Sequence, residues 1–234
     1  MMTVLVLDAS GQHATAAVFT GGHCVAHGMA AMRNRERETL LPLVLQMIEE
    51  GRVAPEALAR VVVGDGPGAF TSLRIAAATA KGLVHGTRTA LAAVPSLVLL
   101  AASAAPDAVA EPGTRRLAVT DAMRGDCFVQ PVERTATGWM PVADVAIVRA
   151  ADISAVAARW HAVPVGPAQP APNATEPDAR AWAHVAPQAT HEVALAEWEP
   201  RYGRLAEAQV KWEAAAGHAL PVPPVAIDVG DHPA

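Results

Sequence analysis

A valine-rich run that ends in a glycine-rich turn constrains the fold of this chain more than any other feature. Residues 61–75 are VVVGDGPGAFTSLRI, and an alanine-rich run continues to Gly86. β-Branched residues followed by three glycines and a proline, and then by helix formers, predict a buried strand, a tight turn and a helix. The glycines permit backbone conformations that are closed to other residues, and Pro67 stiffens the turn. The sequence therefore predicts a strand–loop–helix unit.

The chemistry of this loop alone leaves two interpretations. Its backbone N–H groups can face an anion. However, no Lys-Ser/Thr pair closes it as in a Walker A motif, and its glycine spacing does not fit the dinucleotide-binding fingerprint. A tight turn that only connects the strand to a helix packed on the sheet would require the same glycines. Both an anion-binding loop and a structural turn remain open on this basis.

Composition and charge favour an α/β protein that is not a nucleic-acid platform. The 234 residues carry a formal net charge of −5, and Lys and Arg form no cluster of the kind that phosphate backbones require. Aliphatic residues supply most of the 52% hydrophobic content, whereas aromatic residues make up only 4%. A closely packed core of such side chains suits helices on a sheet.

The lack of a predicted signal peptide or membrane span, together with the small number of cysteines, predicts a soluble, cytoplasmic protein. The N-terminus has no basic segment ahead of its apolar residues, which argues against a signal peptide. The longest apolar run, residues 90–105, is interrupted by Pro95 and is too short for a membrane span. Cys24 and Cys127 are too few for a disulfide scaffold and favour free thiols in a reducing compartment.

The first part of the chain is predicted to be a β-meander followed by alternating strands and helices. Asp8 ends the opening strand, where an Asx turn with Ser10 and Gly11 is the ordinary interpretation. The predicted strands are 4–7, 15–19, 24–26, 61–63 and 89–94, and the predicted helices are 40–50, 71–85 and 96–105. Residues 105–114 contain two prolines and a glycine and are predicted to be a linker.

A second unit begins with a strand–turn–strand at residues 117–129 that resembles the opening of the chain. Asp121 and Asp126 flank its turn, where two solvated carboxylates are a more common arrangement than an acid/base pair. Further predicted elements are strands at 139–148 and 162–166, a helix at 151–160, a loop at 167–177 and helical segments at 179–182 and 191–198.

The helix predicted at Leu40–Glu50 has two apolar stripes. One stripe contains Leu40, Val44 and Met47, and the other contains Leu41, Leu45 and Ile48. One sheet contact requires a single stripe, so either one stripe meets a partner or the whole helix is buried.

Several blocks of the chain resemble a known family. Residues 66–75, GPGAFTSLRI, resemble the block GPGSFTGLRI of bacterial TsaB proteins, which belong to tRNA threonylcarbamoyladenosine biosynthesis and were once classed with glycoproteases. The opening strand, the hairpin at Asp121 and the segment Glu199–Tyr202 resemble further TsaB blocks in the same order. The chain departs from the pattern at Ala69, Ser72 and Ala76, and Glu36 replaces a histidine of the family.

The resemblance implies an α/β actin-like ATPase fold (ASKHA, ribonuclease H-like) of two similar lobes. The first lobe is expected to cover residues 1–105, with residues 200–215 packing back on it. The second is expected to cover 114–198, and 216–234 would be a flexible tail.

The resemblance also implies a non-catalytic scaffold or activator. We expect the chain to dimerise with a catalytic TsaD-like subunit and to work with a TsaE-like ATPase on the adenosine beside the tRNA anticodon. ATP and metal are expected in those partner subunits, with no cofactor or metal held by this chain alone. We expect contact with tRNA only through the complex, a homodimer when the chain is alone, and no membrane association.

Two sets of residues are candidates for sites. Asp8 occupies the strand end where actin-like ATPases keep an acidic residue near Mg–nucleotide, so Asp8, Gly66 and Gly68 are candidates for nucleotide binding. Small and apolar residues at helical spacing form the expected partner interface. These interface residues are Leu41, Val44, Ile48, Ile75, Ala78, Gly82 and His85.

Two enzymatic alternatives have less support. An ATP-dependent small-molecule kinase of the same fold would use Asp8 and the glycine loop, but it would usually need a second glycine-rich phosphate hairpin and a catalytic Asp. A glycoprotease-like hydrolase would need its own machinery, and the sequence has no Gly-x-Ser-x-Gly, His-x-x-x-His or His-x-x-Glu-His motif.

Overall fold

The first lobe is built on a mixed β-sheet. The computed structural model describes residues 1–32, 39–104, 110–167 and 175–204, and all structural statements concern these residues. The strands of the lobe are β1 (Thr3–Asp8), β2 (His13–Thr20), β3 (His23–Ala31), β4 (Leu58–Gly64) and β5 (Ala90–Val94). β1 pairs antiparallel with β2 and parallel with β4, and β4 pairs parallel with β5. The carboxyl ends of β1, β4 and β5 therefore meet at one edge.

Helices cover both faces of this sheet because its strands are apolar on both sides. The helices are α1 (Leu40–Glu50), α2 (Phe70–Val84) and α3 (Ser96–Ser103). Leu5 and Leu7 belong to the core under α1 and α2, whereas Val4 and Val6 belong to the core that contains α3. This separation follows the two-residue period of a strand.

The second lobe has a smaller sheet with one covering helix. Its elements are β6 (Arg115–Asp121), β7 (Asp126–Arg134), β8 (Trp139–Pro141), β9 (Ala146–Arg149), α4 (Ile153–Trp160) and β10 (Val163–Val165). The strand order is β10-β6-β7-β8, and β9 also pairs with β7. Leu117 and Val119 pack with α4, while Ala118 and Phe128 join the core around α3. One hydrophobic core thus connects the two sheets.

A short strand and a 3-10 segment return the chain to the first lobe. The strand β11 (His191–Glu192) pairs antiparallel with β5 and completes a six-stranded sheet in the order β11-β5-β4-β1-β2-β3. Ala179–His184 forms a 3-10 helix, and its Ala179 N–H donates to Thr15 Oγ1 of β2 at 3.0 Å. The chain therefore passes from the first lobe to the second and then returns to the first.

Two predictions for the second unit are wrong. Residues 191–198 do not form a helix, because His191 and Glu192 pair with Ala93 and Ala92 of β5 and turns follow. Residues 139–148 form two strands, since the chain turns at 142–145 and β9 pairs with a different part of β7 from β8.

Some predictions lie wholly or partly outside the described residues. These concern Glu36, the linker at 105–109, the loop at 168–174, the returning segment at 205–215 and the tail at 216–234. Within the parts of the chain that are described, no helix is both long enough and apolar enough to cross a bilayer.

Candidate functional site

The carboxylate of Asp8 is enclosed at the edge where β1, β4 and β5 end. Asp8 is completely buried. Its Oδ1 accepts hydrogen bonds from the Ser10 backbone N–H and from Ser10 Oγ, both at 2.8 Å, and its Oδ2 accepts one from Ser96 Oγ at 2.5 Å. Burial raises the pKa of Asp8, and the three donated hydrogen bonds oppose that rise. Both carboxylate oxygens are thus used within the protein.

The glycine loop packs directly against its neighbours. The Gly66 N–H donates to Ser96 Oγ at 2.9 Å, and the Ser96 N–H donates back to the Gly66 carbonyl at 3.1 Å. A Cβ at Gly68 would stand 2.5 Å from the Ser10 carbonyl oxygen, and a Cβ at Gly66 would collide with the Arg201 carbonyl oxygen. The glycines therefore allow close approach of protein segments, which is the structural alternative that the sequence left open.

This geometry does not support nucleotide binding by Asp8, Gly66 and Gly68. Asp8 presents no surface to a ligand, and protein backbone fills the space beside both glycines. A bound nucleotide would have to replace the hydrogen bonds from Ser10 and Ser96 to Asp8.

A second buried carboxylate, Asp65, lies within the glycine loop and contacts Arg201. Asp65 Oδ2 is 3.3 Å from Arg201 Nε, and the Arg201 backbone N–H donates to the Asp65 carbonyl at 2.6 Å. Asp65 is only 1% exposed, and its Oδ1 has no hydrogen-bond partner among the described residues. Burial raises the pKa of Asp65 to about 6, although the nearby Arg201 cation opposes this shift.

Residues 198–204, called the C-terminal strap below, contact both lobes. The rings of Phe70 and Tyr202 have centroids 4.5 Å apart, and Lys81 Nζ of α2 lies 3.3 Å from Glu199 Oε1. Arg204 forms an ion pair with Asp126 in the second lobe. The strap therefore lies beside α2 and joins the first lobe to the second.

The exposed side of α2 carries most of the predicted partner residues. Ala78, Gly82 and His85 are exposed, and Ile75 is half-buried against the core. A Cβ at Gly82 would have no neighbouring atom within 4 Å. Small side chains on an open helix face permit another helix to approach closely.

Two of the α1 residues predicted for the interface must be corrected. Val44 is fully buried and Ile48 is 5% exposed, because α1 lies on β2 and β3 and directs both side chains into the core. Leu41 and Leu45 are 41% and 52% exposed. The accessible α1 stripe thus includes Leu41 and Leu45 instead of Val44 and Ile48.

The carboxylates of the second-lobe hairpin have structural partners. Asp121 Oδ1 accepts a hydrogen bond from the Met123 backbone N–H at 2.8 Å, and Asp126 Oδ1 lies 3.5 Å from Arg149 Nε. Asp126 also pairs with Arg204 of the strap. These contacts fit turn formation and lobe attachment rather than an acid/base pair. Within the described ranges, no three His, Cys, Asp or Glu residues are grouped to hold a metal ion.

Sequence reasoning missed Ser96, Asp65 and Arg201 as members of this region. Ser96 follows Pro95 at a strand-to-helix junction, a position where a hydroxyl often bonds to the backbone. Asp65 stands between two glycines of the predicted turn, and a charged residue at such a position indicates that its carboxylate has an unusual environment. Arg201 comes from a segment more than a hundred residues away, so no local pattern connects it to the loop.

Comparisons with known proteins agree with this architecture. A family model described as "TsaD: tRNA N6-adenosine threonylcarbamoyltransferase" matches residues 30–175, more than half of the chain. The tRNA threonylcarbamoyladenosine biosynthesis protein TsaB of Bacillus subtilis (strain 168) is 29% identical over 102 residues, which cover 44% of each chain. TsaB of Escherichia coli (strain K12) is 27% identical over 137 residues, or 58% of each chain. The chain thus spans about half the length of the curated relatives it matches.

Solved structures share the fold. YeaZ from Pseudomonas aeruginosa has a TM-score of 0.57 and 25% identity, over 65% of this chain and 69% of that one. A crystal structure of a protein described as similar to peptidase YeaZ from Pseudomonas aeruginosa has a TM-score of 0.71 and 22% identity, over 87% of this chain and all of that one.

The two sheets, together with α3 in the hydrophobic core that they share, define a two-lobed α/β protein of the actin-like, ASKHA type. The chain belongs to the family described by the TsaD model and, within it, to the TsaB proteins.

Proposed function

We propose that this protein is a non-catalytic scaffold or activator subunit in tRNA threonylcarbamoyladenosine biosynthesis and that it dimerises with a TsaD-like catalytic subunit. Its relatives carry the name of that pathway. ATP and metal would belong to the partner subunits, including a TsaE-like ATPase. tRNA would be contacted through the complex, since the chain has a net charge of −5. The proposal places the protein in the cytoplasm.

The observation that carries the dimerisation proposal is the open face of α2. Ala78 and Gly82 leave the helix backbone accessible, and α1, which contacts α2, carries the exposed apolar side chain of Leu45. A helix of a partner with the same fold can pack on such a face. A second copy of this chain could present the same face, which would permit a homodimer when the partner is absent.

The enclosed Asp8 supports an accessory role over the kinase alternative. A kinase of this fold would need the strand-end carboxylate to face Mg–nucleotide. Here Ser10 and Ser96 occupy both carboxylate oxygens, so the residue stabilises the loop instead.

Substitution of Ala78 by Arg tests the dimerisation proposal. Ala78 is exposed, so the folded monomer should tolerate an arginine there. In the seam of a complex, the same cation would be buried without a partner. That penalty is on the order of several kcal/mol, enough to dissociate a complex of micromolar affinity. We expect Ala78→Arg to keep its circular dichroism spectrum and to lose association with the TsaD-like protein of the same organism in sedimentation velocity.

The matched control is Ala158→Arg, which places the same cation on the exposed side of α4 in the second lobe. It should associate as the unsubstituted chain does. Full association of Ala78→Arg would show that the interface lies elsewhere. Loss of association by both variants would indicate a nonspecific charge effect.

A further inference from the structure

The C-terminal strap closes the seam between the two lobes. Gly203 lies between the glycine loop and β7, since a Cβ on Gly203 would stand 3.0 Å from Pro67 Cβ and 2.5 Å from Phe128 Cε1. The seven residues of the strap, all within the described part of the chain, form neither helix nor strand. A segment that is held only by its contacts with neighbouring elements can open while the sheets stay folded.

The Asp–Arg pair at the second lobe favours the closed strap. Arg204 Nη2 contacts Asp126 Oδ2, and Arg149 Nε lies 3.5 Å from Asp126 Oδ1. Each carboxylate oxygen therefore faces a cation, while the Asp126 side chain keeps 21% of its surface exposed. Because this carboxylate stays in contact with water, it loses little solvation when the strap closes, and the attraction to Arg204 dominates.

The Asp–Arg pair at the first lobe has the opposite balance. The Asp65 side chain is only 2% exposed, its Oδ2 lies 3.3 Å from Arg201 Nε, and its Oδ1 has no hydrogen-bond partner among the described residues. Burial raises the pKa of Asp65 to about 6, although Arg201 opposes this rise; the charge of Asp8 adds to it. Loss of solvation thus outweighs the attraction to Arg201.

Arg201 approaches Asp65 with both its backbone and its side chain. The Arg201 N–H donates to the Asp65 carbonyl at 2.6 Å, and the Arg201 carbonyl fills the space beside Gly66. Opening of the strap would therefore give water access to the Asp65 carboxylate. Above pH 6 this carboxylate is mainly ionised, so the closed strap then covers a charge that is better solvated when the strap is open.

We propose that the strap is a releasable clamp between the two lobes, in which the pair of Arg204 and Asp126 favours the closed state and ionised Asp65 favours the open state. The two Asp–Arg pairs have the same chemistry but opposite effects, because only one of the carboxylates is cut off from water. Opening uncovers the glycine loop at Asp65 and the Phe128 ring at the seam. The clamp is a property of this chain and does not depend on the proposed function.

Amide hydrogen exchange of the full chain at a pH of about 7.5 tests the proposal. The Arg201 amide reports on the strap, because it is bonded to the Asp65 carbonyl. The amides of β4 report on global unfolding, because β4 lies between β1 and β5. We expect a larger opening equilibrium for the Arg201 amide than for β4. Gly203→Ala should increase it further, since the added Cβ would collide with Phe128.

Two charge-removing substitutions should have opposite effects on the opening equilibrium at Arg201. Asp65→Asn should reduce it about tenfold, since a neutral amide loses less solvation when the strap closes. Asp126→Asn should increase it about fivefold, since the attraction to Arg204 is lost. The matched control is Asp152→Asn, which removes the same charge at an exposed position before α4 and should leave the equilibrium unchanged.

A strap held by two attractive ion pairs would open more readily in both Asp65→Asn and Asp126→Asn. An increase or no change in Asp65→Asn would therefore overturn the proposal, as would a decrease or no change in Asp126→Asn. Equal effects of Asp65→Asn and Asp152→Asn would show that only net charge matters. Exchange of the Arg201 amide solely through global unfolding, at the opening equilibrium of β4, would show that the strap does not open by itself.

Discussion

No side chain fits at position 64, because Asp8 and Ser96 occupy the space beside Gly64. A Cβ at this position would overlap with Asp8 Oδ2 and stand 2.8 Å from Ser96 Oγ. The sequence predicted a glycine-rich turn here, and the structure shows that one of its glycines accommodates a buried hydrogen-bonded carboxylate. A local sequence pattern identifies such a glycine but cannot name its neighbours, because Ser96 lies 88 residues from Asp8 along the chain.

Gly64→Ala should therefore destabilise the protein by about 3 kcal/mol, since the added methyl group forces Asp8 away from its hydrogen-bond donors. Gly82→Ala is the matched control, because the space around Gly82 is open and alanine is the better helix former by about 1 kcal/mol. Urea denaturation measures both changes. Equal effects of the two substitutions would contradict the packing described for Gly64.

The pKa of Asp65, raised to about 6 by burial, predicts a pH dependence of stability. The folded state binds this proton more tightly than the unfolded state, whose carboxyl titrates near pH 4. The stabilisation linked to the proton is full below pH 4 and is lost as the pH rises to 6. Asp65→Asn should thus gain stability relative to the unsubstituted chain by about 2 to 3 kcal/mol between pH 4 and pH 7.

The measurement is the free energy of unfolding of both proteins at several pH values. Arg201→Gln should extend this decline to higher pH, since removal of the cation that favours the charged carboxylate raises the pKa of Asp65 further. If the free energy of unfolding depended on pH in the same way for Asp65→Asn and the unsubstituted chain, Asp65 would not be the group that links stability to pH.

At the scale of elements, α1 shows what helical periodicity can and cannot predict. The sequence correctly indicated a helix at residues 40–50 with apolar residues on more than one side. Which of them face a partner depends on where the helix sits on β2 and β3, and that position is set by tertiary packing. Val44 and Ile48 were therefore assigned to the wrong side, and the exposed Leu45 was not included.

The C-terminal strap is held to α2 by an aromatic pair that a double-mutant cycle can measure. Phe70 and Tyr202 have ring centroids 4.5 Å apart at an interplanar angle of 39°. We expect a coupling free energy of about 1 kcal/mol between Phe70→Leu and Tyr202→Leu. Phe70→Leu combined with Trp160→Leu, at the end of α4 in the other lobe, should be additive. Additivity of the first pair would contradict the strap contact.

At the scale of the whole molecule, the two-lobe fold could be predicted, whereas the contacts that join the lobes could not. The glycine loop and the hairpin at Asp121 carry local patterns that are specific enough to identify the fold family. Contacts such as Arg201 with Asp65 and Arg204 with Asp126 form between residues far apart in sequence, so they depend on the folded arrangement.

The central claim is that the open face of α2 makes this protein an accessory subunit for threonylcarbamoyl transfer. The most direct measurement is reconstituted modification of tRNA by the TsaD-like and TsaE-like proteins of the same organism and its threonylcarbamoyl-AMP synthase, a TsaC-like protein. This chain, Ala78→Arg, Ala158→Arg or nothing is added to the mixture. The account predicts modification with this chain and with Ala158→Arg, and only background with Ala78→Arg or no addition. Full modification without the chain, or with Ala78→Arg, would contradict it.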